Sequence, residues 1–332
     1  MEKLPNIVIL ATGGTIAGVA GHTTKTVGYT SAAITVEALI EMVPEIGEIA
    51  NISGKQIIQI SSQDMNNDIW LELGIKVNEL LSNPDVDGVV ITHGTDTMEE
   101  TAYYLHLVVN SEKPVVLVGA MRPSTAMSAD GPNNLYNAVV LAGSKSARRK
   151  GVLVVMNDTI YSAREVTKSS TFLTDAFQAP GLGALGHIQS NVAHFYKEPM
   201  ELHTVKSRFS TVELNSLPKV DIAYGYANVT RVAIDAFISS GAQGIIYAGT
   251  GNGSLTGEVT KALCDARKKG IIIVRSSRVG SGLVARNGEV NDDEFDFIVS
   301  NTLNPQKARV LLLLALTQTT DTKEIQQIFY DY

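Results

Sequence analysis

Two apolar runs in this chain break into glycine-rich turns flanked by threonine. Ile7-Val8-Ile9-Leu10-Ala11 leads into Thr12-Gly13-Gly14-Thr15, and Val89-Val90-Ile91 leads into Thr92-His93-Gly94-Thr95-Asp96-Thr97. A continuous apolar run of this length marks a strand buried on both faces of a parallel sheet. In open α/β sheets, the turns that leave such strands at their carboxyl ends form the ligand crevice. Hydroxyls at that edge can meet a substrate, and glycine lets backbone N–H groups approach an oxyanion. The pattern suits acyl transfer through a hydroxyl.

Other strand-like runs fall at 57–61, 115–119, 152–156, 220–224, 244–248 and 271–274, with helical patterns between them, as at 97–109 and 133–141. This alternation predicts βαβ units and a mostly parallel sheet. At 332 residues the chain exceeds one ordinary core, so two domains are expected. The rhythm lapses over 191–219, a polar stretch with Pro199 and Pro218. It reads as a connector between an N-terminal catalytic α/β domain, 1–190, and a smaller C-terminal α/β domain, 220–332. Asn304-Pro305 has the chemistry of a helix start. The Gly-, Thr- and Ser-rich stretch from Gly18 to Ser31 follows the first strand without a helical period and reads as a lid.

Composition narrows the function by exclusion. A net charge of −7 disfavours nucleic acid or an anionic membrane as a partner. The basic run Lys145–Lys150 reads as a solvated helix end. Cys264, the single cysteine, leaves no internal disulfide, cysteine metal cage or CxxC pair, and its setting is that of a helix core position. The six histidines lack ligand spacing, so no metal is expected. Met1 to Pro5 lead straight into the first strand without a secretory signal, a beginning that a processed secreted form would share. The apolar run near Val310–Leu316 is too short to span a bilayer. There is no Walker loop and no Gly-x-Ser-x-Gly elbow. Gly249-Thr250-Gly251-Asn252-Gly253 lacks the full spacing of a dinucleotide loop, and no cofactor is expected.

Thr97 and Glu100 have capping-box spacing for the helix that follows, leaving Thr95 and Asp96 toward the crevice. A hydroxyl beside a carboxylate suits recognition of an ammonium and activation of water. His93 reads as a packing residue with one structural hydrogen bond. By spacing alone, Lys168 and Glu289 are surface residues.

Beyond spacing, the residues resemble a family. The Ala11–Gly18 and Gly88–Thr97 stretches resemble the two signatures of bacterial L-asparaginases, type II in particular. The likeness runs on through Val118–Pro123, Ser128–Pro132, Arg275–Val279 and Leu303–Arg309, covering nearly the whole chain. It implies a larger N-terminal domain with a mostly parallel, flavodoxin-like sheet and a smaller C-terminal α/β domain. It also implies that Thr12 is the nucleophile, assisted by Tyr29 from the lid, with Thr95, Asp96 and Lys168 as a second catalytic group. Ser62 and Gln63, with Thr95 and Asp96, would hold the substrate's α-carboxylate and α-amino end, and the Ala120 backbone would bind its amide. Asn252 and Glu289 would reach a neighbouring subunit's site within a homotetramer built as a dimer of dimers. The chain differs from many relatives in carrying Ser61 where they carry glycine, and around Glu289.

The activity so implied is hydrolysis of L-asparagine to L-aspartate and ammonia without metal or organic cofactor, in a periplasmic or secreted mature chain or, alternatively, a cytoplasmic one. Hydrolysis of L-glutamine as well, an amidotransferase subunit, a flavin or nucleotide binder on the same fold, and a non-catalytic amino-acid-binding protein are the other readings. No tRNA-binding extension or basic face favours the amidotransferase.

Overall fold

The computed structural model describes residues 3–209 and 214–332. The chain divides into two compact units, 1–213 and 214–332.

The first unit is built on one eight-stranded sheet. Its strands are β1 (Asn6–Gly13), β2 (Asn51–Ile60), β3 (Gly88–Thr92), β4 (Val115–Val118), β5 (Val152–Met156) and β6 (Thr159–Ser162), followed, after a small separate ladder of β7 (Thr167–Lys168) and β8 (Phe177–Gln178), by β9 (Gly186–Gln189) and β10 (Val192–Phe195). The order across the sheet is β10-β9-β6-β5-β4-β3-β1-β2. The five strands β2-β1-β3-β4-β5 are parallel. This is the flavodoxin-like order, in which the connection reverses direction between β1 and β3. The crevice that such a reversal opens lies where the two threonine–glycine turns leave the sheet.

The apolar runs form the centre of the sheet because both of their faces are covered. Ile7, Ile9, Val90, Val116, Val118, Leu153 and Val155 pack with Leu135, Ala138, Val139 and Leu141 of the helix Gly131–Gly143. Alternate residues of the same strands, Leu10, Ile91, Leu117 and Val154, are equally buried. Helices Asn67–Ser82 and Met98–Val108 make contacts with β3 and β5 respectively. Each fully buried side chain of this size contributes roughly 1.5–3 kcal/mol relative to exposure.

The antiparallel extension β6-β9-β10 is not among the strand-like runs of the sequence. Both of its tight hairpins turn on two residues with positive φ: Asn157 and Asp158 (50° and 62°) between β5 and β6, and Ser190 and Asn191 (50° and 63°) between β9 and β10. Such pairs match the right-handed twist of a hairpin, and Asn and Asp tolerate them best. The stretch expected as a connector therefore differs from the reading at 191–219. Its start is β10, an edge strand, and further along His203 and Thr204 are buried, the His203 ring 4.9 Å from that of His106. The basic run also needs correction at its end: Lys150 is buried, paired with Glu198 at 2.8 Å, and lies over the Phe195 ring.

The second unit carries a four-stranded parallel sheet: β11 (Val220–Tyr224), β12 (Gly244–Gly249), β13 (Ile272–Ser277) and β14 (Ile298–Val299), in that order. Helix Gly257–Lys268 covers one face with Val259, Ala262, Leu263 and Ala266, and Cys264 is partly buried against the same cluster. Helix Pro305–Ala315 begins as its residues require, with the Asn304 side chain accepting from the Lys307 amide at 3.0 Å and Pro305 in the first turn. Arg275 and Asp292 form a fully buried pair with two bonds at 2.5 and 2.7 Å, and the same guanidinium donates to the Gly253 carbonyl.

Candidate active site

At the carboxyl ends of β1 and β3 lies a cavity of about 560 Å³, lined entirely by the first unit. Its floor is the meeting of two turns. Gly13 and Gly14 have φ of 107° and 82°, where a side chain is strained. A Cβ on Gly14 would collide with the Gly94 backbone, and one on Gly94 would lie 2.6 Å from the Ser62 hydroxyl oxygen. Only glycine allows the turns after β1 and β3 and the segment after β2 to come this close. The closeness sets Thr15, Thr95 and Ser62 around one space.

The first hydroxyl is Thr15, at the start of a short 3₁₀ turn. Its Oγ1 is 2.6 Å from the Tyr29 hydroxyl. Tyr29 comes from the expected lid, which folds over as a short ribbon. Val19 and Thr30 exchange backbone hydrogen bonds at 2.9 Å, and Ser124 and Thr125 bond Gly18 and Ala20. The Tyr29 ring rests over Gly18, where a Cβ would lie 3.0 Å from it.

Thr12 requires a correction. It is 1% exposed, its hydroxyl donates to the Thr92 carbonyl at 2.9 Å, and it does not line the cavity. Strand geometry gives the reason. Thr12 is still within β1 and turns its side chain toward β3, whereas the hydroxyl that emerges into the cavity comes three residues later, after the two glycines have redirected the chain. The chain itself held a signal. Thr12-Gly13-Gly14-Thr15 and Thr92-His93-Gly94-Thr95 share one spacing, and the second threonine faces the cavity in both.

The second hydroxyl, Thr95, accepts from the Lys168 ammonium at 2.8 Å, and Lys168 also pairs with Asp96 at 2.6 Å. Lys168 is thus not the free surface lysine that spacing suggested. Ser62 and Gln63 line the cavity, and the Asp96 amide donates to the Ser62 hydroxyl. The expected capping box at Thr97 is replaced by another bond. The Thr97 side chain makes no cap but donates to the Ser62 carbonyl at 2.7 Å, tying the β2 and β3 segments together.

Ala120 is fully buried, one residue before Met121 and Arg122, which line the cavity. This loop is held by Asp130, whose carboxylate accepts from the Met121 and Arg122 amides at 2.9 Å each, and by Asn134, which donates to the Gly119 carbonyl. Arg122 and Asp130 lie in stretches that carry the family resemblance and Asn134 in a helical pattern, but the sequence assigns them no role, because their partners lie in backbone that only the fold brings near.

His93 packs as expected. It is fully buried, its Nδ1 is 2.7 Å from the Gly94 carbonyl, and burial pushes its pKa down to about 4. A neutral imidazole facing away from the cavity is not placed to act as a base. Asn252 and Glu289 belong to the second unit. The Asn252 side chain accepts from the Ala285 amide at 2.8 Å, and Glu289 is hydrogen-bonded to the Ser254 hydroxyl. Among the described residues, no group of three or more His, Cys, Asp or Glu could hold a metal ion, and no helix is long and apolar enough to cross a membrane.

These elements make a two-domain α/β protein with a hydroxyl-lined crevice, and the family models that its two halves match show that the chain belongs to the asparaginase family. Residues 6–201 match the family model described as asparaginase, N-terminal, and residues 219–329 match that of the glutaminase/asparaginase C-terminal domain. Among individual proteins, the glutaminase-asparaginase of Pseudomonas fluorescens biotype A is 52% identical over 331 residues, covering 99% of this chain and 91% of that one. A Haemophilus influenzae protein named probable L-asparaginase periplasmic is 51% identical, over 99% and 93% of the two chains. The crystal structure of a probable cytoplasmic L-asparaginase from Campylobacter jejuni superposes with a TM-score of 0.96 at 50% identity, covering 99% of this chain and all of that one.

Proposed function

We propose that this chain hydrolyses L-asparagine to L-aspartate and ammonia, with L-glutamine as a second substrate in the dual-activity alternative that the name of the Pseudomonas relative supports. One observation carries the reading: two hydroxyls share one cavity, and each has its own polar partner, Tyr29 for Thr15 and Lys168 with Asp96 for Thr95.

An amide is a poor electrophile, so the reaction needs an activated nucleophile and a polarised carbonyl. In this reading Thr15 takes the role first expected of Thr12. Its oxygen attacks the side-chain carbonyl carbon, and its proton passes through the Tyr29 hydroxyl toward the leaving nitrogen. Loss of ammonia leaves a β-aspartyl ester on Thr15. Thr95, with Lys168 and Asp96, directs the water that breaks the ester and returns the proton to Thr15. The N–H groups of the turns at Gly14 and Gly94, which line the cavity, polarise the carbonyl in this reading, and the amide is received by backbone at Ala120, next to the lining Met121. Asp96 receives the substrate ammonium, and Ser62 and Gln63 its carboxylate.

The assembly is a homotetramer made of dimers, with Asn252 and Glu289 of a neighbouring subunit completing each site. The compartment is the periplasm or outside the cell, with the cytoplasm as alternative; cell fractionation separates them. Ammonia release from both amides, measured on the assembled oligomer and after dilution to protomers, tests these points together. Turnover of asparagine that falls away with dissociation is the expected result. No ammonia from either amide would leave an amino-acid-binding protein, and full activity in isolated protomers would remove the shared site.

A further inference from the structure

Glu99 is a carboxylate that the reaction does not use, yet it is 4% exposed, in the first turn of the helix Met98–Val108. It lies four residues beyond Thr95 and does not line the cavity. One oxygen, Oε2, accepts two hydrogen bonds, from the Thr167 hydroxyl at 2.7 Å and from the Lys168 backbone amide at 2.8 Å. Burying a carboxylate is costly unless it is well paired. Here the bonds are charge-assisted, and the helix N-terminus favours the negative charge.

The need for such an anchor follows from the topology. Lys168 sits on β7, a strand of two residues whose ladder partner among the described residues is the equally short β8, with one further backbone bond from the Ser169 amide to the Ala176 carbonyl. Two residue pairs hold a strand weakly against sliding and twisting, and Lys168 must reach a hydroxyl and a carboxylate on a different segment, at 2.8 and 2.6 Å. Glu99 stands on the element that begins just beyond Thr95 and Asp96, and it grips the backbone from which the lysine springs. We propose that Glu99 is a positioning residue that joins Thr95, Asp96 and Lys168 into one rigid frame, acting on the reaction only through the lysine. The inference rests on the Lys168–Thr95 pair having the role given above.

The test is a set of kinetic cycles on the assembled enzyme, with Glu99→Ala, Glu99→Gln and Thr167→Val made in the parent and in a Lys168→Met background. Glu99→Ala should lower kcat roughly 100-fold, with KM moved less than about threefold, since displacement by about an ångström has that effect on an aligned group. Glu99→Gln keeps an acceptor oxygen and should restore kcat to within about tenfold of the parent. In Lys168→Met both changes should cost less than about threefold, because a residue acting through another loses its effect when the other is gone. Thr167→Val removes one of the two bonds from a partly exposed site. It should cost about fivefold in kcat in the parent and nothing in Lys168→Met, so the test stands even if Glu99→Ala does not fold. Parental kcat in Glu99→Ala, a glutamine as damaging as alanine, or losses of equal size in both backgrounds would each overturn the proposal. Parental turnover in Lys168→Met alone would instead remove the role of the Thr95 group, a separate failure.

Discussion

The turn after β1 and the turn after β3 are built on the same spacing, and they differ at one place. Thr92 ends β3 and Thr12 is the last residue but one of β1, both buried; Thr15 and Thr95 open into the cavity. Between them stand Gly13-Gly14 in one turn and His93-Gly94 in the other. Glycine is required at 14, where a Cβ would meet the Gly94 backbone, and at 94, where one would meet the Ser62 side chain. At 13 only glycine serves. It pairs in register with Ile60 of β2, and a Cβ would run into the Ile60 carbonyl. The equivalent place in the second turn takes a whole imidazole, because there the side chain enters the interior instead of meeting a neighbouring strand. The same local pattern is thus read differently by its surroundings. The partners differ as well: a lid tyrosine serves one hydroxyl, a lysine on a distant two-residue strand the other.

That comparison can be broken at its strongest point first. Thr15→Val and Thr95→Val should each lower kcat on asparagine on the order of 1,000-fold or more while the chain keeps its fold, as single losses from a catalytic group do. Thr15→Val should also form no covalent adduct, whereas Thr95→Val should accumulate an ester on Thr15 that mass spectrometry of acid-quenched protein detects. An adduct on any other residue would overturn the division of labour.

The second effect belongs to His93, the residue that sets the turns apart. Its pKa is pushed down from 6.5 to about 4 by burial. The unfolded chain therefore binds a proton between pH 6.5 and 4 that the folded chain does not. Stability present above pH 6.5 is lost as pH falls through this window, by about 3 kcal/mol from this group. Denaturant unfolding followed from pH 7 to pH 4 should show that slope, with a further share from His203, whose pKa burial also lowers, and His93→Asn should reduce it. An unchanged slope in the variant would place the acid sensitivity elsewhere.

The smallest effect separates the first threonine of the turn from the second. Thr12→Val removes one buried hydrogen bond to the Thr92 carbonyl, so it should cost about 1–2 kcal/mol of stability and leave turnover within roughly threefold of the parent. A collapse of turnover without loss of stability would return the nucleophile to Thr12.

How much of this was legible beforehand can be followed residue by residue. The valine- and isoleucine-rich strands, the parallel sheet and the Asn304-Pro305 helix start follow from period and capping, and they could be read along the chain. So could the closeness of the site to the two glycine turns. The β6-β9-β10 extension is not legible although Asn157-Asp158 and Ser190-Asn191 mark its hairpins, because strands of four residues are too short for a period to stand out.

What the chain by itself determined is the alternation of buried strands with helices, the glycines without which two turns could not touch, and the set of residue types available at the sheet's carboxyl edge. Tertiary structure decided which threonine of each pair faces the cavity, since the course of the chain beyond each strand sets that, through a kink at positive φ in the first turn and without one in the second. It also decided that Lys168 meets Thr95 across 73 residues, that Tyr29 meets Thr15 across 14, and that Glu99 reaches Thr167 across 68. Side-chain periodicity extends over a few residues, whereas hydrogen bonds between segments exist only once burial has made the loops close, and so the active constellation is a property of the packed molecule.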